Sequence, residues 1–260
     1  MKWHIPTLDP RNGLKAVLLA QLGLAGLLIV SDVFSHYPRA FDRTIEIPSG
    51  PVKPGDQRRQ YRTDRPLPDV VRLENPVDLP MPEEFTDQLT FDEYSVEGIG
   101  KILLLSGAIE QGDAKKFQSK LASMEDKPDL VALHSPGGKV YEAQQIGRIV
   151  RSENLPTGVL PGAFCVSSCP YVLAGGVNRT VSLRGVVGMH QHYYEQPRYL
   201  PVVFAVEDIQ ISQGETMEFL IEMGVNPSLM VFSLNTPPEQ IYALVEEELK
   251  ETMIALEIVE

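Results

Sequence analysis

The sequence predicts an α/β domain with a mostly parallel sheet and flanking helices, behind an N-terminal transmembrane helix. An apolar run occupies residues 16–30, a stretch rich in proline and charge follows, and short buried-strand patterns then alternate with amphipathic helix patterns. Such alternation is typical of a parallel sheet with right-handed crossovers. We therefore divide the chain into an N-terminus at 1–15, an anchor at 16–34, an extended linker at 35–84 and a folded domain at 85–260.

The anchor follows from the run AVLLAQLGLAGLLIV at residues 16–30, which is apolar except for one glutamine. A helix through this run, extended by a residue or two at each end, is about 25 Å long and just spans the hydrocarbon with Lys15 at the interface. Lys2, Arg11 and Lys15 precede the run, so the N-terminus is expected in the cytoplasm. A cleaved signal peptide is the alternative, with Val33-Phe34-Ser35 as the cleavage site.

Composition limits the partners and cofactors that we expect. The 260-residue chain has a net charge of −12, which repels phosphate backbones and argues against a nucleic-acid partner. We find no Cys/His cluster with zinc spacing and no glycine-rich nucleotide loop, so we expect no metal and no organic cofactor.

Residues 35–84 are rich in proline and charge and have no sustained apolar period. This composition predicts an extended linker.

The folded domain is expected to begin with three strands and two helices. Short apolar runs predict buried strands over KILLLSG (101–107), DLVALHS (129–135) and LPTGVLPG (155–162). The helices between them carry apolar residues at helical spacing, and Asp113 can cap the first. The residues expected in the core are Ala114, Phe117, Leu121 and Met124 in the first helix and Val140, Ala143, Ile146 and Val150 in the second.

A solvated acidic helix is predicted over PPEQIYALVEEELKE, residues 237–251. Its apolar stripe would consist of Ile241, Leu244, Val245 and Leu249. We expect this helix to present a charged face to solvent and not to form a site.

The stretch GAFCVSSCPYVLAGG, residues 162–176, is the first candidate for chemistry. Ser167 falls near the start of a short helix, where free N–H groups and the helix dipole favour an anion. A nucleophile there would have the Ser168 N–H as one oxyanion donor, and Gly137 or Gly138 of SPGG would supply the second. The alternative for a lone serine at this place is helix capping.

The base would come from RGVVGMHQHYY, residues 184–194. An apolar strand over 186–189 ends at His190, and His192 follows with the same strand parity. Of the five histidines in the chain, only these two lie at a strand end downstream of the serines. A surface histidine is the alternative for either one alone.

SPGG after a strand, the serine of GAFCVSSC…AGG and then GMHQ resemble the Clp protease proteolytic subunit. The resemblance is closest to the membrane-anchored or periplasmic Clp-protease-like proteins of bacteria, in the Clp/crotonase superfamily, and it covers about residues 99–191. It implies a ββα-repeat spiral with a mostly parallel sheet. It also implies peptide hydrolysis with Ser167 as nucleophile, His190 as base and an oxyanion hole from Gly137, Gly138 and Ser168.

In the family an aspartate orients the histidine, and here NTPPEQIYAL offers none at the expected place. Glu239 and Asn235 are the polar residues nearest to it. Of these Glu239 is the candidate for the orienting acid, and a helix-terminal glutamate is its alternative role. The leading prediction is a serine peptidase that acts on peptides or proteins in the periplasm from a single-pass anchor in the bacterial inner membrane. The resemblance also allows a homo-oligomer, and no ATPase partner is expected because ATP is scarce there.

Two other functions fit the same residues. One is a catalytically impaired module that binds peptides or partner proteins at the membrane. The other is an acyl-group enzyme of crotonase type, in which Ser167 and His190 would be superfluous.

Cys165 and Cys169 bracket the serines and are the only cysteines in the chain. An oxidising compartment would favour a disulfide, and a turn before the helix would bring the sulfurs together. Two buried free thiols packed as small hydrophobes are the alternative.

Overall fold

The computed structural model describes residues 10–36, 58–60, 85–192 and 202–260, in two compact units, Met1–Ile45 and Glu46–Glu260. Helix α1, Pro10–His36, belongs to the first unit. Its segment Arg11–Val30 has a mean hydropathy of 2.0 and none of it is buried against other residues. By length and composition α1 can cross a membrane, which confirms the predicted apolar N-terminal helix. Most of the predicted linker lies outside the described residues.

The second unit contains ten strands and six helices in its described part. The strands are β1 (Arg58–Gln60), β2 (Thr90–Val96), β3 (Gly100–Ser106), β4 (Leu130–His134), β5 (Thr157–Val159), β6 (Phe164–Val166), β7 (Arg179–Ser182), β8 (Val186–Met189), β9 (Gln240–Ala243) and β10 (Glu257–Val259). The helices are α2 (Asp113–Ser123), α3 (Val140–Ser152), α4 (Cys169–Ala174), α5 (Val202–Glu222), α6 (Leu229–Leu234) and α7 (Glu246–Glu251).

A six-stranded sheet in the order β10-β7-β5-β4-β3-β2 forms the centre of the domain. All neighbouring pairs are parallel except β2 with β3. Strand β3 contributes four consecutive leucine or isoleucine side chains with at most 1 % exposure, so both of its faces are buried there. This confirms the predicted α/β class with a mostly parallel sheet.

A smaller four-stranded sheet has the order β1-β9-β8-β6. Strands β6 and β8 are parallel, and β9 is antiparallel both to β8 and to β1. A bridge between Ser135 and Cys165 connects the end of β4 to β6. The end of a core strand therefore leads directly into the small sheet.

Helices α2 and α3 pack on the core largely as their spacing predicts. Phe117, Ala143, Ile146 and Val150 are fully buried, and Ala114 is buried. Leu121, Met124 and Val140 are only partly buried, and Met124 follows the end of α2. Helix α4 approaches α3 very closely, since a Cβ on Gly175 would lie 2.3 Å from the carbonyl oxygen of Gly147.

The far end of α4 is held by Arg151. Its guanidinium donates hydrogen bonds of 2.8–3.1 Å to the carbonyl oxygens of Ala174, Gly175 and Gly176. These carbonyls are the acceptors that a helix leaves unpaired at its C-terminus. Helix α4, whose other end follows Ser167, is thus fixed by packing on one side and by charge-assisted hydrogen bonds at its end.

The helix predicted over 237–251 is wrong in its first half. Residues Gln240–Ala243 form strand β9, and only Glu246–Glu251 is helical. Ile241 and Ala243 are buried while Gln240 and Tyr242 are partly exposed, which is the period of a strand. The apolar residues of this segment fit both periods, and pairing with β8 decides between them.

Six strands were not predicted as strands, namely β1, β2, β6, β7, β9 and β10. β2 is a partly exposed edge strand of the large sheet, and β6 is only three residues long. The strand before Ser167 is therefore β6 and not the predicted strand over 155–162, of which Thr157–Val159 forms β5 in the other sheet.

Candidate functional site

Ser167 and His190 lie next to each other because β6 and β8 are parallel neighbours. Val166, the last residue of β6, pairs with Gly188 near the end of β8. The N–H of Ser167 continues this ladder by donating to the carbonyl oxygen of Gly188, at 3.0 Å. Both strands end at the same edge, so the side chains that follow them meet there.

Ser167 has a backbone φ of 63°, the left-handed region that a serine rarely adopts. This conformation turns the chain sharply between β6 and α4. Ser167 remains partly exposed, whereas Ser168 is only 1 % exposed. The turn thus presents the first serine of the pair and buries the second.

The imidazole of His190 is held from both sides. Its Nε2 lies 2.7 Å from Ser167 Oγ, and its Nδ1 lies 2.7 Å from the carbonyl oxygen of Pro238. A carbonyl can only accept, so Nδ1 carries a proton and donates a hydrogen bond to the Pro238 carbonyl oxygen. Nε2 is then the acceptor for the hydroxyl of Ser167, which is the protonation state that a general base requires.

Glu239 does not take the position on His190 Nδ1 that an orienting acid would occupy. The Pro238 carbonyl fills that position, and the side chain of Glu239 is exposed to solvent. The charge of Glu239 does act on His190, because it raises the pKa of the imidazole. A supporting electrostatic role for Glu239 stays a prediction.

The pKa of His190 is nevertheless lowered overall. Burial is the largest cause, since the ring is largely removed from water and the charged form loses hydration. The hydrogen bond to Pro238 and the charge of Glu239 oppose this effect. His190 is therefore neutral at pH 7 and able to accept a proton.

The predicted oxyanion residues lie beside Ser167, the predicted nucleophile. A Cβ added to Gly137 would be 2.5 Å from Ser167 Cβ and 2.7 Å from the backbone nitrogen of Ser168. The N–H of Gly137 donates to Ser135 Oγ at 3.1 Å. Of the glycine pair, Gly138 is therefore the better second donor beside Ser168, and the oxyanion hole itself stays a prediction.

The glycine loop is fixed from behind by Ser135. Its hydroxyl donates to the carbonyl oxygen of Gly107 at 2.7 Å and accepts from Gly137. Gly138 forms a bridge with Ile109, where a Cβ would lie 2.1 Å from the Ile109 carbonyl oxygen. Neither glycine has room for a side chain, which explains the pair in physical terms.

The hydroxyl of Ser168 is buried, and the described residues offer it no hydrogen-bond partner. A serine hydroxyl at a helix start would normally accept a hydrogen bond from a backbone N–H of the first turn, but within the described residues Ser168 makes no such capping bond. The predicted contribution of Ser168 is its N–H and not its side chain.

Cys165 and Cys169 form a disulfide with a Cα–Cα distance of 5.1 Å. Both cysteines are fully buried. The bond closes a five-residue ring around Ser167, the residue in the left-handed conformation. Of the two alternatives for this pair, the structure has the disulfide.

His192 contacts helix α4, which follows Ser167. Its Nε2 lies 2.7 Å from the hydroxyl of the buried Tyr171, and the two rings pack edge to face. Burial is the main cause that lowers the pKa of His192 to about 4, and the neighbouring His190 adds to it. His192 is thus a neutral residue that packs against α4, not the base.

A cavity of about 280 Å³ opens next to His192. It is lined by Gln191, His192, Ile209, Gln213, Met230, Ser233 and Leu234. These residues bear no formal charge at neutral pH, so the cavity suits an uncharged group. Among the described residues no group of three or more His, Cys, Asp or Glu side chains could hold a metal ion.

Sequence reasoning missed the Pro238 carbonyl, the acceptor that orients His190. Every residue carries a main-chain acceptor, so the only available signal was the Pro237-Pro238 pair at the place where an acid was sought.

A scan against protein-family models finds no matching family, and a search of curated proteins finds no match.

Proposed function

We propose that the protein is a serine hydrolase that cleaves peptide bonds, with a Clp/crotonase-like domain on the periplasmic side of a bacterial inner membrane. The observation that carries the proposal is the pair of 2.7 Å contacts of His190, one to Ser167 Oγ and one to the Pro238 carbonyl oxygen. The exposed apolar helix α1 supports a single-pass anchor, and the disulfide fits an oxidising compartment.

The proposed reaction begins when His190 Nε2 takes the proton of Ser167 Oγ as the oxygen attacks the substrate carbonyl. The negative charge on the tetrahedral oxygen is stabilised by the N–H groups of Ser168 and Gly138. His190 then gives the proton to the leaving amine, and an acyl-enzyme remains on Ser167. Water repeats the sequence on the acyl-enzyme and releases the acid.

The Pro238 carbonyl would replace the acid of a Ser-His-Asp triad. It fixes the tautomer and the ring orientation, as an aspartate does. It stabilises the imidazolium with a dipole instead of a full charge, so a slower enzyme is expected than one with a buried aspartate. The chemistry needs no cofactor.

The substrate would be a peptide or protein segment that binds in extended form beside the glycine loop through main-chain hydrogen bonds. An uncharged side chain next to the cleaved bond would suit the neutral cavity near His192. A homo-oligomer is compatible with the proposal, and it requires no ATPase partner and no nucleic acid.

A module that binds peptides or partner proteins without cleaving them is the second function with a specific observation in its favour. That observation is the absence of a carboxylate from the Nδ1 contact of His190 among the described residues. Such a module would keep the peptide-binding groove but would not hydrolyse the bound peptide. A crotonase-type acyl-group enzyme is ranked last because it would make no use of the Ser167–His190 hydrogen bond.

Labelling with a fluorophosphonate tests the proposal directly, since this probe reacts with activated serines. The purified full-length protein should be labelled at Ser167, and Ser167→Ala should abolish labelling. Ser168→Ala is the matched control and should be labelled at nearly the parental rate, because its hydroxyl is buried. Absence of labelling in the parent from mildly acidic to alkaline pH would overturn the hydrolase and favour the binding module.

A further inference from the structure

The linker between α1 and the folded domain enters the sheet that bears the site. Its residues Arg58–Gln60 form β1, which pairs antiparallel with β9. The paired residues are Arg58 with Tyr242, Arg59 with Ile241 and Gln60 with Gln240. β1 is the outermost strand of the sheet β1-β9-β8-β6, on the side away from Ser167.

Strand β9 is unequally supported along its length. On its inner side β8 pairs with Tyr242 and Ala243, the last two residues of β9. The first two residues, Gln240 and Ile241, are paired with β1 and, within the described residues, with no other strand. The half of β9 that is nearer the site therefore depends on the linker strand for its ladder.

That half of β9 directly follows the turn that orients His190. Gln240 N–H donates to the carbonyl oxygen of Pro237 at 2.9 Å, and this hydrogen bond closes the turn. The carbonyl inside the turn is that of Pro238, which accepts from His190 Nδ1. Movement of Gln240 would therefore displace the Pro238 carbonyl, which lies two residues earlier in the chain and accepts from His190.

We propose that strand β1 is a positioning element of the active site, which fixes the start of β9 and thereby the Pro238 carbonyl that holds His190. The proposal rests on the proposed hydrolase function. It assigns a role to the segment that joins the membrane helix to the domain, beyond that of a spacer. The linker strand acts through the Pro238 carbonyl and contacts no substrate.

The groups around His190 explain why a backbone carbonyl can control the orientation of its ring. Ser233 Oγ donates to the His190 carbonyl oxygen at 2.6 Å, so the backbone of His190 is fixed from α6. Among the described residues, the titratable groups that act on or near its ring include Glu239, which is exposed, and His192, which is neutral. Orientation of the ring on its Nδ1 side then depends on the Pro238 turn.

Proline substitution in β1 tests the proposal, because proline removes a backbone donor and fixes φ. In the full-length protein, Arg59→Pro should slow fluorophosphonate labelling of Ser167 by about tenfold or more, since the base is no longer held in its productive orientation. Thr63→Pro, in the linker outside β1, is the matched control and should label at the parental rate.

The pH profile separates positioning from a general structural defect. The Pro238 hydrogen bond raises the pKa of His190, so loosening that bond should move the rising limb of the labelling rate to lower pH. Arg59→Pro should therefore show a lower plateau together with an acid-shifted limb. A lower plateau with an unshifted limb and a melting temperature reduced in parallel would overturn the proposal.

A disulfide between Gln60→Cys and Gln240→Cys provides the reverse test. Directly paired residues of antiparallel strands have Cα atoms about 4.5–5.5 Å apart, within the range for a disulfide. The crosslinked protein should label at the parental rate and should restore most of the rate when combined with Arg59→Pro. A crosslink that slows labelling would mean that β1 obstructs the site, which contradicts the proposal.

The outcomes distinguish this proposal from the function on which it rests. If the parent is not labelled at Ser167, the hydrolase function fails. If the parent is labelled and Arg59→Pro reacts equally fast, the hydrolase stands and the positioning role of β1 is wrong.

Discussion

The two sheets of the domain differ in strand length and burial, and the candidate site lies at strand ends of the smaller one. The six-stranded sheet contains the two longest parallel strands, β3 and β4, and β3 carries leucine and isoleucine side chains with at most 1 % exposure. The four-stranded sheet has strands of three or four residues, and their ends carry Ser167, His190 and the Pro238 turn. Mutations in the first sheet should therefore act on folding, and mutations at the ends of the second should act on reactivity.

Removal of His190, the proposed base, should have the largest effect on the labelling rate of Ser167 and should leave the stability of the domain nearly unchanged. We expect His190→Gln to lower the labelling rate of Ser167 by about 10⁴-fold or more, because the hydroxyl loses its proton acceptor. The melting temperature should change by only a few degrees, since glutamine nearly fills the space. Labelling kinetics and thermal melting of the same preparation measure both effects. A rate within tenfold of the parent would show that His190 is not the base.

Truncation in the core should show the opposite pattern. Leu103 is completely buried in β3, and Leu103→Ala should lower the free energy of unfolding by about 2–5 kcal/mol. Chemical denaturation measures this loss, and labelling per folded molecule should stay near the parental rate. A strong loss of labelling in the folded protein would contradict the division between the two sheets.

The contact between the glycine loop after β4 and the Ser167 turn can be tested with substitutions at two glycines. Gly137 and Gly112 have nearly equal φ values, 90° and 91°. A Cβ at Gly137 would press on Ser167 and Ser168, whereas a Cβ at Gly112 would meet no atom within 4 Å. Gly137→Ala should slow labelling by about 100-fold, comparable to loss of one oxyanion donor.

Gly112→Ala is the control for backbone strain without the steric contact. It should cost some stability, since alanine disfavours positive φ, and leave labelling nearly unchanged. Equal effects of the two substitutions on labelling would show that strain, and not contact with the nucleophile turn, decides the result.

The disulfide should sharpen the same comparison at a smaller scale. A five-residue ring constrains the unfolded chain little, so removing the bond should cost about 2 kcal/mol of stability. A left-handed residue costs roughly 1–2 kcal/mol, so a released Ser167 turn should relax and react about tenfold more slowly. The variant Cys165→Ala/Cys169→Ala, assayed well below its melting temperature, measures both. An unchanged rate in the folded variant would mean that the bond serves the fold only.

Strands β3, β4 and β5 of the large sheet were predicted from the sequence, whereas in the small sheet only β8 was. The difference has a physical reason. Strands β3 and β4 are apolar runs whose burial follows from composition, and Phe117 and Ile146 follow from helical spacing. β9 has apolar residues that fit a helix equally well, and its pairing with β8 and β1 is non-local. Local patterns do not contain that information.

The site divides in the same way. Ser167, His190 and the glycine pair could be named from residue types, because their chemistry belongs to side chains or to the lack of one. The acceptor for His190 Nδ1 is a carbonyl, so the search for an acid led to Glu239, one residue further along the chain. Residue types cannot identify a contact that depends only on where the backbone turns.

Glu239 should give the smallest effect, and its direction is informative. The negative charge of Glu239 raises the pKa of His190, while burial lowers it below the ordinary value. His190 acts as a base only when neutral, so the labelling rate should rise with pH through this lowered pKa. Glu239→Gln removes one of the raising causes and should move the rising limb to still lower pH.

The plateau rate of Glu239→Gln should fall by at most about fivefold, because an exposed charge interacts weakly and is screened by salt. The difference from the parent should also shrink at high ionic strength, whereas the Pro238 hydrogen bond should be insensitive to salt. Labelling rates measured across pH at low and high salt distinguish the two contributions. A loss of 100-fold or more, unaffected by salt, would show that Glu239 orients His190 directly during the reaction and would displace the Pro238 carbonyl from that role.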